Sequence, residues 1–200
     1  TPAGAPIGLG DVGTSVQFLR SVGSRSTFAL SSFYLLIAAD IEGRNECSIP
    51  GHAGKVLQSQ IRFSSLNTVA LACRKAFDHG GGLTGAAFGR MPDAVLEKHA
   101  EYWSSRLGRT KEDAYRALSF LRTFFAKCSK KPDALFKDGT TLGRRIGFIK
   151  QYADRSAAHL SLEYYEFDTL DLAHVVAALA IVGSIICSFD NSTPPEYFNQ

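Results

Sequence analysis

Two side chains that together can cleave a phosphodiester stand four positions apart in this chain. Within "IKQYADRSAAHLSLEYYEFD" (Ile149–Asp168), Arg155 precedes His159 among Ala, Ser and aromatic residues. Histidine takes or gives a proton near neutral pH, and arginine is a permanent planar cation matched to phosphate oxygens. Four residues apart on a helix, both lie on one face. In that arrangement His159 deprotonates a ribose 2′-OH while Arg155 stabilises the charge building on the phosphate, with no metal in the reaction. Asp154 and Ser156 stand on either side of Arg155 and could orient the pair. The plainer alternative is that Arg155 and His159 close a helix C-terminus, answering its carbonyls and its dipole with no chemistry at all.

Cations that would hold a polyanion near this pair are Arg144, Arg145 and Lys150. Arg144 and Arg145 point in different directions on a helix, so one of them is expected to join Lys150 and Arg155 in a basic groove around His159. The same residues serve equally well to solubilise a surface. RNA is the polyanion this groove would take, because a ribose 2′-OH is the nucleophile the histidine needs.

The chain as a whole fits such a site without demanding it. It has 200 residues, 45% hydrophobic and 20% charged, a composition that suits a single folded domain with a substantial core. The net charge is +3 and the pI about 8.7, mildly basic, with no dense Lys/Arg block. Cys47, Cys73, Cys128 and Cys187 are scattered and form no CxxC pair, so no zinc site and no other metal or cofactor is expected. Cys73 and Cys187 sit in apolar helical contexts that suit buried, reduced thiols, and hence a cytoplasmic protein. The chain begins at Thr1 rather than methionine, which would suit a trimmed N-terminus.

Other motifs fail the test of their surroundings. The leader contains GxGxxG at Gly8, Gly10 and Gly13, but no strand precedes it and no βαβ pattern follows. His79 with Gly80–Gly82 resembles the HGGG oxyanion loop of esterases, yet the chain has no GxSxG elbow. A helix C-terminus punctuated by glycine accounts for the same residues. "FALSSFYLLIAA" (Phe28–Ala39) and "LAHVVAALAIVGSIIC" (Leu172–Cys187) are too short to span a bilayer and read as core helices, so no membrane partner is expected.

The elements that would position the pair are helical throughout. Residues 1–13 read as a flexible leader, 14–190 as an all-α, single-domain bundle of about six helices, and 191–200 as a tail. Val16, Leu19, Val22, Leu30, Phe33 and Ile37 set a helical period from Thr14 to about Ala39, which Gly23 bends or divides. A second helix over Ala53–Phe77 turns Val56, Ile61, Leu66, Val69 and Cys73 inward. A third opens near Pro92. Thr110 caps a fourth, bearing Tyr115, Leu118, Leu121 and Phe125. "KPDALFKDGT" gives a short turn, and Thr140 or Thr141 starts a fifth helix with Leu142, Ile146, Ile149 and Ala153 inward. "HLSLEYYEF" suits either helix or extended chain. Asp168 caps the last helix, Leu170 to about Phe189. With Ile149, Tyr152 and Ala153 facing the core, Arg155 and His159 are expected at or just past the end of helix five, exposed in a cleft.

With "IRFSSLNTVALACRKAFDHGG" midway, "IKQYADRSAAHLSLE" later and an apolar last helix, the chain resembles the HEPN superfamily, and within it the AbiU-type proteins of bacterial abortive-infection systems. The first stretch resembles their helix ending in a basic residue, a large apolar residue and Asp, here Arg74, Phe77 and Asp78. The second resembles their segment closing on Ala-His, here Ala158 and His159. The resemblance implies a dimeric, metal-independent endoribonuclease acting in phage defence or as a toxin, with an antitoxin or regulatory protein as a further partner. The family's signature places Arg, a polar residue, then His after four to six positions. Here only three residues separate Arg155 from His159, whereas reading Asp154 as the polar residue puts the missing arginine at Ala153. Either Arg155 acts from a shifted place, or the chain is a non-catalytic, dimeric binding or regulatory relative, or Ala153 is an engineered silencing substitution. A ligand held between helices by the aromatic residues is a third function. For the homodimer, Val175, Val176, Leu179, Val182 and Ile186 offer more apolar surface than one helix needs for its own core.

Overall fold

The apolar periods become helices wherever a cap and a partner face coincide. The computed structural model describes residues 12–44, 51–80, 84–154 and 169–189. Within them lie α1 (Val12–Arg44), α2 (His52–Ala76), α3 (Gly85–Gly89), α4 (Asp93–Leu107), α5 (Lys111–Cys128), α6 (Pro132–Lys137), α7 (Thr141–Tyr152) and α8 (Thr169–Phe189). No strand occurs among the described residues, so the chain is an all-α bundle. It has more helices than the apolar periods announce, because α3 and α6 are single short turns held by their neighbours. None of the described helices is long and apolar enough to cross a membrane.

Thr110 and Thr140 cap α5 and α7 as expected, their hydroxyls accepting from the N–H groups of Asp113 and Gly143. Pro92 stands one residue before α4, at its cap. The leader expected over 1–13 is shorter by two residues, since α1 begins at Val12. The rest of the leader, the tail, "HLSLEYYEF" and the cap at Asp168 lie outside the described residues.

Helix α1 runs unbroken through Gly23, so the division expected there does not occur. The glycine serves packing instead: a Cβ on Gly23 would come within 3.2 Å of Ile186, and one on Gly183 within 2.8 Å of the Ser26 side chain. These two pairings, 23 with 186 and 26 with 183, run in opposite directions and set α1 and α8 antiparallel at close range. α2 also runs back along α1. Gln58 near its start donates to the Ala39 carbonyl at 2.6 Å, while Phe77 at its end and Phe18 of α1 meet on the same residue, Phe125.

Phe125 is the hub of the core. Its ring lies 5.5 Å from Phe18, 5.5 Å from Phe88 and 6.1 Å from Phe77, joining α1, α3 and the end of α2 to α5. This cluster anchors the C-terminus of α2, and with it Arg74 and Asp78. The second helix is less inward than its period suggests. Val69 and Cys73 are buried, but Val56 is 41% exposed.

The small helix α3 sits on α5 by virtue of two glycines on one face. A Cβ on Gly89 would stand 2.6 Å from the Ala126 backbone nitrogen and 2.7 Å from its Cα, so the α5 backbone itself blocks any side chain. Gly89→Ala is therefore expected to destabilise the protein by about 1–3 kcal/mol, as overpacking against backbone does. A chain of this size should then melt lower by about 2–4 °C per kcal/mol. An unchanged melting temperature in calorimetry would show that α3 shifts freely off α5.

The surface assigned to a dimer is used inside the chain. Val175, Val176, Leu179, Val182 and Ile186 are all 3% exposed or less, packed among α1, α2 and α7. A helix enclosed on three sides buries more than one stripe, which is why α8 looked over-supplied with apolar residues. Exposed apolar side chains lie elsewhere, with Phe28, Tyr34 and Leu35 on α1 prominent, so "FALSSFYLLIAA" is only half core.

Candidate functional site

The C-termini of α2 and α7 converge, and the polar residues near both ends form one network. Arg74, in the last turn of α2, donates from Nε to Asp154 Oδ1 at 2.5 Å and pairs through Nη1 with Asp78 Oδ2 at 3.0 Å. One guanidinium thus spans two carboxylates, one four residues away and the other 80 residues away. The fork geometry of arginine suits this, and its planar cation needs both oxygens to balance partial burial. The bond to Asp154 strengthens the Arg74 cation further. Burial works to raise the Asp78 carboxyl, but the Gly80 N–H and the Arg74 cation outweigh it, and the group lies below the ordinary carboxylate range.

Beneath this network lies a lysine. Lys150 is fully buried, and its ammonium donates to the carbonyls of Phe77 at 2.7 Å and Lys130 at 2.6 Å. Phe77 caps α2 and Lys130 follows the end of α5, so Lys150 holds two helix C-termini together at their negative ends. Burial pulls it below the ordinary lysine range, while the Asp78 and Asp154 carboxylates act in the opposite sense. This corrects the expected groove: Lys150 faces the core and offers nothing to a polyanion. Nor is the end of α2 closed by glycine. Phe77 is its cap and the Lys150 ammonium answers its carbonyl.

The other expected site residues fall as follows. Arg144 is exposed and donates to the Gly139 carbonyl at 3.3 Å, while Arg145, one position on, is half-buried. Ile149, Tyr152 and Ala153 face the core as expected, and Tyr152 donates to Asn67 of α2 at 2.7 Å. Asp154 lies on a wider, π-type turn at 153–154. Arg155, Ser156 and His159 lie outside the described residues, which resume at Thr169. The site is therefore described up to the residue before Arg155: α7 delivers the chain to a carboxylate that Arg74 clamps.

His79 follows Asp78, its Nδ1 4.0 Å from Asp78 Oδ1. Burial, and then the Lys150 ammonium, push it below the ordinary histidine range, so it is neutral at pH 7. It opens onto a cavity of about 350 Å³ lined also by Ala86, Arg90, Ala126, Ser129, Lys130 and Lys131. No reading of the sequence joined these residues, which come from the segment after α2, from α3 and its cap, and from the end of α5.

The thiols near the network are inert. Burial raises Cys73 far out of the reactive range and pushes Cys128 up to about 12, so neither is a nucleophile at neutral pH. Cys187, expected buried, is half-exposed near the end of α8. No family model, curated protein or solved structure matches this chain.

Proposed function

We propose that this protein is a HEPN-like helical ribonuclease that cleaves RNA without a metal and acts in phage defence or as the toxin of a toxin–antitoxin pair. The observation that carries the reading is the Arg74–Asp154 contact at 2.5 Å. The two stretches that resemble the family, one holding Arg74, Phe77 and Asp78 and the other beginning at Ile149 and closing on Ala158 and His159, are joined through Arg74 of the first and Asp154 of the second. Clamping Asp154 fixes the chain just past the end of α7, the residue before the candidate Arg155. A π-type turn at such a point is a frequent companion of functional residues. In this reading His159 takes the 2′-OH proton and returns one to the leaving oxygen, and Arg155 stabilises the phosphate charge. Of the cations expected to bind RNA, Arg144 is exposed and would serve in this reading, whereas Lys150 is buried.

A second reading is favoured by one observation. The only arginine of the network, Arg74, already has two carboxylates, so all the transition-state charge must be met by Arg155 at its short spacing. If that fails, the scaffold is a dimeric binding or regulatory protein without cleavage.

The test is cleavage of varied single-stranded RNAs in EDTA. His159→Ala is expected to lower the rate by about 10²-fold or more, the usual contribution of general acid–base catalysis. Arg155→Ala should lower the rate strongly while sparing RNA affinity, as befits a cation acting on transition-state charge. No cleavage by the unmodified protein on any RNA would leave the regulatory reading in its place.

A further inference from the structure

We propose that the outward face shared by α1 and α2 is where two copies of this chain meet, face to face and antiparallel. The dimer surface expected on α8 is thereby moved to another side of the protein. The proposal holds whether or not the chain cleaves RNA, and its test reads mass rather than activity.

The first observation is a stripe of exposed apolar side chains. Phe28 and Leu35 of α1, and Leu57 and Leu71 of α2, are each at least 40% exposed. Phe28 and Leu35 stand seven positions apart, and Leu57, Ser64 and Leu71 repeat that step, so each set forms one line along its helix. Both lines lie opposite the core side, which Phe33 marks on α1 and Cys73 on α2. Adjacent helices that share a core on one side present the other side as one surface. The Gln58–Ala39 hydrogen bond fixes their register. Counting from it along antiparallel helices, Leu71 is level with position 26, Ser64 with 33 and Leu57 with 40. The order along the surface is therefore Leu71, Phe28, Ser64, Leu35, Leu57, over about 21 Å.

The second observation is what the stripe lacks. α1 has no charged residue between Arg25 and Asp40, and α2 has none between Arg62 and Arg74. Solvated helix faces carry charge, and a contiguous exposed apolar surface without it marks an interaction site.

Three features select a second copy as the occupant. The stripe reads nearly the same in both directions. A two-fold axis through its middle, beside Ser64, sets Phe28 against Leu35 and Leu71 against Leu57 of the other copy, a self-complementary pairing. The charges agree with that direction. α1 is basic before the stripe, at Arg20 and Arg25, and net acidic after it, where Asp40 and Glu42 outnumber Arg44. An antiparallel copy thus meets opposite charge at both ends, whereas an anionic membrane would be repelled by one of them. The area is also sufficient. A face about 37 Å long and two helices, about 20 Å, wide covers on the order of 700 Å², near the 800 Å² or so that each partner gives a standard stable interface.

The experiment is sedimentation equilibrium of the full chain from about 1 to 100 μM. The mass should rise with concentration from that of one chain, 21.7 kDa, to twice that. Leu35→Glu should weaken association by about thirtyfold or more, the loss typical of a central interface residue. Phe28→Glu should do the same. Phe120→Glu, a comparably exposed apolar residue on α5, should leave association unchanged. Far-UV circular dichroism and melting temperature report whether each variant is folded. If Leu35→Glu lowers either, Leu57→Glu on the other helix makes the same test. A chain that stays monomeric to about 100 μM overturns the proposal, as does a dimer that survives both α1 substitutions. So does flotation of monomeric protein with phosphatidylserine–phosphatidylcholine vesicles that Leu35→Glu abolishes, which would give this face to lipid.

Discussion

Lys150→Met should cost the protein about 2–4 kcal/mol, seen as a fall in melting temperature of roughly 5–15 °C. Methionine matches the stem in length and apolar character, so the loss isolates the ammonium. That group answers the Phe77 carbonyl, which is buried, and the Lys130 carbonyl, which is partly so. Each buried acceptor left without a donor costs about 1–3 kcal/mol, reduced here by relief from burying a charge. The pH dependence has a definite sign. The native state holds the Lys150 proton less tightly than the unfolded chain does, so a charge penalty is present wherever the native lysine is protonated. It fades as pH rises toward 10.5, the ordinary lysine value. The gap between the unmodified protein and Lys150→Met should therefore widen on the alkaline side. A loss under about 1 kcal/mol would mean that water replaces the ammonium at both carbonyls.

The same residue shows where reading from sequence stops. α5 was legible because cap and period agree: Thr110 opens it, and Leu118, Leu121 and Phe125 fall on one buried stripe. α7 was legible for the same reason, down to Ile149, Tyr152 and Ala153 facing inward. Lys150 was misplaced because nothing local marks it. Its partners are carbonyls of Phe77 and Lys130, brought together only when α2, α5 and α7 pack, and a lysine on a short helix ordinarily turns to water. α3 was missed because a five-residue helix in a glycine-rich run has no period to detect. Its glycines matter for how closely two backbones approach, a property of the pair.

The network itself was half visible. Arg74 and Asp78 stand four apart near the end of a helix, a spacing that predicts an ion pair. Their link to Asp154 lies 80 residues away and follows from the packing that brings the C-termini of α2 and α7 together. The cavity beside His79 left no trace at all in the sequence, since its lining comes from three separate segments.

Ala153→Arg is expected to destabilise the fold by about 3–5 kcal/mol and to gain no activity. A motif reading that counts Asp154 as the polar residue would put the family's arginine at 153, and the structure gives that position to the core. Ala153 is fully buried, between a Tyr152 that is itself buried and the clamped Asp154. An arginine there would need a counter-charge, and the nearest carboxylates, Asp154 and Asp78, are both held by Arg74. Competing for them would break the clamp that fixes the chain's exit from α7, so the site would lose its order as it gained a cation. Denaturant unfolding and RNA cleavage in EDTA, measured together on the unmodified protein, Ala153→Arg and Arg155→Ala, separate the cases. A destabilised, silent Ala153→Arg beside a rate lost in Arg155→Ala makes Arg155 the working cation at its short spacing. A stable Ala153→Arg that cleaves RNA, from a parent that does not, would mean that position 153 can turn its side chain out of the core. The alanine would then be the substitution that silenced a nuclease.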